Sequence, residues 1–227
     1  MEFEFQGIKM RRKAILRTLE EKVNPRYTTL LIVDMQNDYA KPGGKCHQAG
    51  RPIEHYRLAI PNIQRMLEEA RKADVLVIHA ITTVLPHGLG DSGPWLDQRT
   101  RSPYTDLTMC LEGTWGEQVV DELAPIYGEP VVKKLRYSSF AGTSLDIILR
   151  SNDIKTLIVA GVSTNVCIDS TLRDGFFLEY YIVLVEDCTY SWDPDLRLAT
   201  FKTVEKRFGM VVKSDDIFMI WKSFSQQ

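Results

Sequence analysis

The sequence lacks the features that mark several large classes of protein. It has no apolar run near the roughly 20 residues of a membrane span, no C-x-x-C pair among its four cysteines, no long run of Lys and Arg, and no internal repeat. The formal net charge of the 227 residues is only -2. These absences argue against a membrane protein, a disulfide framework, a zinc clip and a nucleic-acid binder. The partner that we expect is a small-molecule substrate, with neither nucleic acid nor membrane.

The first residues, Met1 to Phe5, alternate acidic and aromatic side chains and lack the basic and then apolar order of a signal peptide. We therefore expect a cytoplasmic protein with reduced cysteines. Hydrophobic residues make up 44% of the chain, which is enough for one large α/β core. We predict an N-terminal arm over residues 1–27, with a short helix from about Met10 to Val23, and a single domain over residues 28–227.

Short apolar runs alternate with helical patterns along the predicted domain. We predict strands at Thr28–Asp34, Val75–Ala80, Glu129–Lys134, Thr156–Ala160, Tyr181–Asp187 and Met210–Val212. Helices are predicted around Ile60–Leu67, Gly116–Leu123, Thr143–Ser151, Cys167–Leu178 and Pro194–Arg207, with a last helix beginning near Ser214. This alternation predicts a three-layer, doubly wound α/β fold with a six-stranded parallel sheet. Residues Thr82 to Thr114 lose periodicity, and such a long irregular stretch is typical of a functional lid.

Three chemically active residues fall at the carboxyl ends of predicted strands: Asp34, Lys134 and Cys167. That edge of a parallel sheet is the usual ligand site, and a thiol at the start of a helix has its thiolate favoured by the helix dipole. An acid, an ammonium and a thiol fit covalent catalysis. Each also has a plainer interpretation. Asp34 could be a helix cap or a magnesium ligand, Lys134 an exposed lysine, and Cys167 a small buried apolar residue.

Three segments carry a resemblance to a known family: Leu31–Tyr39, Lys134 with the following Tyr137–Phe140, and Gly161–Cys167. They resemble, in order and spacing, the isochorismatase-like cysteine hydrolases, which include nicotinamidases, N-carbamoylsarcosine amidohydrolases, biuret and triuret hydrolases and ureidoacrylate amidohydrolases. Within that superfamily, the segments at 136–140, 145–151 and 170–180 are most similar to the ureidoacrylate amidohydrolases.

The resemblance implies a role for each residue of the set. Asp34 takes the proton of the Cys167 thiol, and Lys134 between them holds Asp34 ionised and favours the thiolate. The Val162–Ser163 peptide bond is cis, and the N–H groups of Ser163 and Cys167 form the oxyanion hole. No cofactor is needed. The resemblance also implies a homo-oligomer, either a dimer or a tetramer.

The resemblance further narrows the reaction. Nicotinamidases of this family hold a metal on a D-x-H cluster, and the four histidines, His47, His55, His79 and His87, lack that spacing. We therefore expect no metal. An intact Asp34, Lys134 and Cys167 set favours C–N hydrolysis over the vinyl ether chemistry of isochorismatases. We expect a ureidoacrylate-type substrate and release of ammonia or carbamate, with biuret, triuret or N-carbamoyl amino acids as alternatives.

Substrate contacts are expected from Tyr39, Trp95, Arg136 and Tyr137, although Trp95 could instead anchor the lid or a subunit interface. One departure from the ureidoacrylate pattern lies after the second strand. There those enzymes place an Asn and a Trp towards the carboxylate end of the substrate, whereas this chain has the residues Ile81–Val84. Either another group recognises the acid, or the substrate differs.

Other classes of protein explain less of the sequence. A haloacid-dehalogenase-type phosphatase needs a second acid two residues after the first, and that position is Gln36. A redox sensor would pair Cys167 with Cys188, but nothing in the sequence brings them together. A non-catalytic homologue is opposed only by the intact triad.

Overall fold

The computed structural model describes residues 3–5, 8–10, 15–102, 104 and 106–224. Its centre is a six-stranded sheet in which every strand runs parallel to its neighbours. The strands of this sheet are β3 (Thr28–Val33), β4 (Leu76–Thr82), β5 (Val131–Lys134), β6 (Thr156–Val162), β7 (Tyr181–Tyr190) and β8 (Gly209–Val212). Strands β1 (Phe3–Phe5) and β2 (Ile8–Met10) pair antiparallel in a separate two-stranded sheet.

The order of the strands across the sheet is β5-β4-β3-β6-β7-β8. The predicted parallel sheet of six strands is therefore confirmed. The order reverses between the neighbouring strands β3 and β6, because the chain builds outwards first in one direction and then in the other. Such a reversal opens a crevice at the carboxyl ends of the two central strands.

Helices cover both faces of the sheet. The ranges are α1 (Leu19–Lys22), α2 (Asn37–Ala40), α3 (Lys45–Gln48), α4 (Glu54–Arg57), α5 (Ile60–Lys72), α6 (Gly93–Thr100), α7 (Leu145–Ser151), α8 (Asp169–Phe177), α9 (Pro194–Arg207) and α10 (Ser214–Phe224). Helices α5 and α10 pack on one face, and α7, α8 and α9 pack on the other. The three-layer prediction is confirmed as well.

Strand β3 shows why two layers form, since all six of its residues are buried. Successive side chains of a strand point to opposite faces. Leu30 and Ile32 accordingly join the core under α5 and α10, whereas Leu31 and Val33 join the core under α7, α8 and α9. Burying each of these side chains contributes roughly 1.5–3 kcal/mol, so both faces hold β3 at the centre of the sheet.

The predicted N-terminal helix from Met10 to Val23 is wrong in extent. Residues 11–14 lie outside the described part of the chain, Met10 belongs to β2, and the helix occupies only Leu19–Lys22. A capping box fixes its start, because Thr18 accepts from the Glu21 N–H while the Glu21 side chain reaches back to the Thr18 backbone. The helix begins where this cap satisfies its first free N–H groups.

Two further expectations are corrected around the lid segment, which we define as residues 82–114. This segment contains a 3₁₀ turn at Pro86–Gly88 and the helix α6, so it is less irregular than predicted. The helix predicted at Gly116–Leu123 is instead a pair of 3₁₀ turns, Trp115–Glu117 and Asp121–Leu123. The residues between these turns run extended because the Asn37 N–H donates to Gln118 O and the Val120 N–H to Met35 O, both at 2.9 Å.

Within the described residues, none of the helices is both long and apolar enough to cross a membrane. The four cysteines are all free and buried.

Candidate active site

Asp34, Lys134 and Cys167 come together at the carboxyl edge of the sheet. Asp34 directly follows β3, and its backbone turns there in the left-handed region, with φ of 56°. Its N–H donates to Ala80 O of β4 at 2.9 Å, which fixes this turn. Lys134 ends β5, and Cys167 lies in a π-helical turn, Thr164–Ile168, between β6 and α8. Topology alone therefore brings three distant residues to one point.

A buried ion pair forms the floor of the site. Lys134 Nζ lies 2.9 Å from Asp34 Oδ2, and the two side chains are 0% and 2% exposed. Lys134 Nζ also donates to Thr82 Oγ1 at 2.9 Å and to Arg136 O at 3.2 Å. The other carboxylate oxygen, Asp34 Oδ1, accepts from the N–H and the hydroxyl of Thr82, each at 2.9 Å. Every group of the pair is thus satisfied, as a buried charge requires.

Sequence reasoning missed Thr82, which joins Asp34 to Lys134. It is the last residue of β4, the strand between β3 and β5 in the sheet, so its position follows from the strand order. That order was the only signal for its role. A threonine at a strand end has no distinctive sequence pattern of its own.

The thiol of Cys167 lies within hydrogen-bonding reach of both Asp34 and Lys134. Burial and then the negative charge of Asp34 raise its pKa well above that of a free cysteine, and the positive charge of Lys134 offsets only part of this rise. The resting thiol is therefore neutral. Lys134 by itself lowers the pKa of Cys167 and so favours the thiolate, in the direction that the resemblance implies, but burial and Asp34 outweigh it.

Lys134 keeps its proton although it is fully buried. Desolvation lowers its pKa, but the negative charge of Asp34, together with that of Cys167 once it loses its proton, outweighs desolvation and raises the pKa above its ordinary value. A permanent ammonium group therefore faces the sulfur, where negative charge develops when the thiol loses its proton.

The turn before Cys167 has an unusual backbone. Gly161 adopts φ of 115°, and a Cβ there would lie 2.1 Å from Val33 O, so only glycine allows the ends of β3 and β6 to approach this closely. The Val162–Ser163 peptide bond is cis, as the resemblance implies. Among the described residues, no acceptor receives a hydrogen bond from the Ser163 N–H.

A cavity of about 380 Å³ opens above the triad. It contains Asp34, Ser163 and Cys167 in its wall, whereas Lys134 lies beneath, fully buried. All four residues predicted to contact substrate also line it: Tyr39, Trp95, Arg136 and Tyr137. The volume suits a ligand of small-molecule size.

Trp95 packs against two other predicted contact residues. Its ring centroid lies 4.7 Å from that of Tyr137, and the Arg136 guanidinium carbon lies 5.0 Å from the Trp95 ring centroid. Arg136 Nη1 donates to Gly90 O and Leu135 O at 3.0 and 2.7 Å. Trp95 therefore anchors the lid segment to the residues after β5, and it lines the cavity at the same time.

Sequence reasoning missed a second group of residues in the wall of the cavity. Tyr56, Trp192, Asn165, Ser191 and Arg51 line it. Ser191 Oγ donates to Asn165 Oδ1 at 2.6 Å, and Ser163 Oγ donates to the same oxygen at 3.1 Å. These residues come from three distant stretches of the chain, 51–56, 165 and 191–192, so no local spacing in the sequence reveals that they meet.

His79 lies inside β4, where its side chain is buried and hydrogen-bonded. Its Nε2 lies 3.3 Å from Glu129 Oε2, and the side chain is 1% exposed. Burial lowers its pKa, although Glu129 opposes this. Over the described ranges, no group of three or more His, Cys, Asp or Glu side chains is arranged to hold a metal ion.

The profile of the Isochorismatase domain matches residues 28–216, most of the chain. The chain belongs to the isochorismatase family. A cysteine hydrolase from Pseudomonas syringae pv. phaseolicola 1448A has a similar structure, with a TM-score of 0.80 and 28% identity over 93% of this chain and 98% of that one. An isochorismatase family protein from Desulfovibrio vulgaris has a TM-score of 0.73 and 29% identity over 86% and 99% of the two chains.

A more distantly related structure shares the fold. An N-carbamoylsarcosine amidase from Thermoplasma acidophilum is 24% identical over 83% of this chain and 97% of that one, with a TM-score of 0.67. The expectation of an isochorismatase-like hydrolase is therefore confirmed at the level of the family. The choice among its substrates is a separate question, which depends on the cavity.

Proposed function

We propose that this isochorismatase family member is a cysteine-dependent amidohydrolase that cleaves a C–N bond of a small ureido, carbamoyl or amide substrate. The observation that carries the proposal is the convergence of Asp34, Lys134 and Cys167 at the floor of one cavity. A nucleophile within reach of a base and a fixed cation is the arrangement that covalent catalysis requires.

In the first half of the reaction, Asp34 takes the thiol proton as Cys167 Sγ bonds to the substrate carbonyl carbon. The carbonyl oxygen becomes an oxyanion, held by the N–H groups of Ser163 and Cys167. Asp34 then gives its proton to the leaving nitrogen as the C–N bond breaks, which releases ammonia from a terminal ureido group. A carbamoyl-thioester on Cys167 remains, or a thioester when the substrate is a simple amide.

In the second half, water takes the place of the leaving group. Asp34 accepts a proton from the water as the water oxygen bonds to the thioester carbon. Asp34 then returns that proton to sulfur as the C–S bond breaks. A ureido substrate thus yields ammonia and a carbamate, and the free thiol is restored. Each step moves one proton between Asp34 and an atom that it can reach.

Lys134 supports both halves by its charge. It compensates the buried Asp34 carboxylate at 2.9 Å, and it faces the sulfur that becomes negative in the transition state. Because the resting thiol is neutral, the cation acts when charge develops. Such preorganised electrostatic stabilisation is among the largest contributions to catalysis.

A ureidoacrylate-type substrate is the one we favour within this class, on the motifs at 136–140, 145–151 and 170–180. Biuret, triuret and N-carbamoyl amino acids are alternatives with the same reacting group. A vinyl ether hydrolase and a non-catalytic homologue lie outside this chemistry.

The test is ammonia release from a panel of ureidoacrylate, biuret, triuret, N-carbamoyl amino acids and nicotinamide. We expect turnover of at least one ureido compound, and a loss of at least about 1000-fold in Cys167→Ser with unchanged folding by circular dichroism. Equal turnover by the serine variant would contradict the proposal. Turnover of nicotinamide alone would overturn the preference for ureido substrates.

A further inference from the structure

Arg51 is a cation in the cavity wall that pairs with no anion among the described residues. It follows α3 and is partly buried. Its side chain forms no ion pair and no hydrogen bond with any residue that the structure describes. A guanidinium group carries five N–H donors, and none of the described residues accepts a hydrogen bond from them.

Aromatic rings hold this guanidinium in place. Its central carbon lies 3.1 Å from the ring centroid of Trp192 and 5.2 Å from that of Tyr104. Trp192 is itself fixed, because its Nε1–H donates to Pro52 O at 2.8 Å and its ring lies 3.9 Å from that of Tyr56. Stacking leaves the edge of the guanidinium, where the donors lie, open for hydrogen bonds.

The other cations near the cavity are already engaged. Lys134 pairs with Asp34, and Arg99 Nη1 lies 3.1 Å from both carboxylate oxygens of Asp91. Arg136 donates to two backbone carbonyls. Among the described residues that line the cavity, Arg51 is therefore the cation with the most unused hydrogen-bonding capacity.

Arg51 and Cys167 line the same cavity and share two neighbours. The phenol groups of Tyr39 and Tyr56 each lie close enough to both residues to interact with them electrostatically. Burial raises the pKa of both phenols well above the ordinary value, so neither supplies a counterion to Arg51 at neutral pH. A ligand in this cavity is therefore exposed to Cys167 and Arg51 together.

We propose that Arg51 binds a carboxylate of the substrate through a bidentate pair, which makes this enzyme selective for ureido or carbamoyl acids over neutral amides. The fork of a guanidinium matches the two oxygens of a carboxylate. The assignment of the reacting end rests on the proposed function. The carboxylate site itself rests on the geometry of Arg51 and Trp192.

The proposal also accounts for a departure in the sequence. Residues Ile81–Val84 lack the Asn and Trp that ureidoacrylate amidohydrolases place towards the substrate acid. Thr82 is used instead to bridge Asp34 and Lys134. Arg51, which lies between α3 and α4, then recognises the substrate carboxylate in their place.

The test compares the binding of two probes by calorimetry: 3-ureidopropionate, and propylurea, in which a methyl group replaces the carboxylate. Binding is measured in Cys167→Ser, which prevents turnover by the native nucleophile, with and without Arg51→Met. We expect Arg51→Met to lower the affinity for 3-ureidopropionate about 10- to 100-fold and the affinity for propylurea less than about twofold. Arg51→Lys should fall between, because lysine keeps the charge and loses the fork.

Arg26→Met is the matched control, because Arg26 is exposed and does not line the cavity. It should leave the affinity for both probes unchanged. Ureidoacrylate and N-carbamoylglycine extend the set of acids. If no acid of the three binds in a way that depends on Arg51, the proposal is overturned.

Ammonia release from the same probes separates the two proposals. Arg51-dependent binding of acids without any ammonia release would support the carboxylate site and contradict the amidohydrolase. The opposite case is ammonia release from acids and propylurea alike, with the same ratio of kcat/KM for acid to kcat/KM for propylurea in Arg51→Met as in the unaltered protein. That result would support the amidohydrolase and contradict the carboxylate site.

Discussion

At the scale of single residues, the site pairs a neutral thiol with a buried ion pair. Burial and the Asp34 carboxylate raise the pKa of Cys167, so the thiol keeps its proton at neutral pH. Asp34 therefore serves two opposed purposes. Its charge disfavours a resting thiolate. The same carboxylate accepts the thiol proton once a substrate carbonyl is in place. Reactivity is thus coupled to the presence of substrate.

Replacing Asp34 by Asn separates these two purposes. Removal of the negative charge lowers the pKa of Cys167, so at pH 8 its alkylation by iodoacetamide should become at least about tenfold faster, and the profile of rate against pH should move to lower pH. Hydrolysis should fall about 100- to 10,000-fold, because the base is lost. Peptide mapping of alkylated Cys167, beside ammonia assays, measures both effects.

The three other cysteines are buried, and a Cys167→Ser protein gives their background rate of alkylation. A profile of the Cys167 alkylation rate against pH that stays in place or moves to higher pH in Asp34→Asn would show that the Asp34 charge does not raise the pKa of the thiol.

At the scale of elements, what could be predicted depends on whether the signal is local. The six strands and the helix Pro194–Arg207 follow from apolar runs and helical spacing. The error at 116–123 has a physical cause, because residues 118–120 are held extended by pairing with residues 35–37, some 80 positions earlier. Helix α6 was missed because its sequence, rich in Gly, Pro and polar residues, shows little periodicity.

The lid segment is held by a nearly buried cross-link. Arg99 Nη1 lies 3.1 Å from both carboxylate oxygens of Asp91, and Arg99 Nη2 donates to Asp106 O at 3.4 Å. Arg99→Met leaves the Asp91 carboxylate without its partner, and breaking a buried pair in this way costs about 3 kcal/mol or more. We expect chymotrypsin to cleave within residues 82–114 at least about tenfold faster in this variant.

Arg101→Met is the control for this experiment, since Arg101 lies at the end of the same helix and pairs with Asp97 at an exposed position. Surface pairs contribute little, so its rate of cleavage should match that of the unaltered protein. Equal rates for the two variants would show that the Arg99 pair does not hold the lid segment closed.

At the scale of the whole molecule, topology explains which site residues the sequence revealed. Asp34, Lys134 and Cys167 are each near a strand end, and parallel strands bring such ends to one edge. Arg51, Tyr56 and Trp192 lie in or beside connections between elements, and their meeting depends on how the helices pack. No periodic pattern in the sequence predicts that packing, so the sequence did not indicate that these residues line the cavity together.

A homo-oligomer and a cytoplasmic location both stay predictions. For the first, light scattering coupled to size exclusion measures the molar mass directly. We expect two or four times the chain mass of 26.0 kDa, constant over a dilution series. A mass equal to that of one chain would contradict this expectation.

Cys167 should become covalently attached to the substrate during turnover, and rapid acid quenching detects this adduct most directly. Mass spectrometry of the digested protein should find the Cys167 peptide heavier by the mass of the substrate less ammonia. The modification should be absent in Cys167→Ala and should disappear once substrate is exhausted. Sustained ammonia release with the Cys167 peptide unmodified at every quench time would contradict the account.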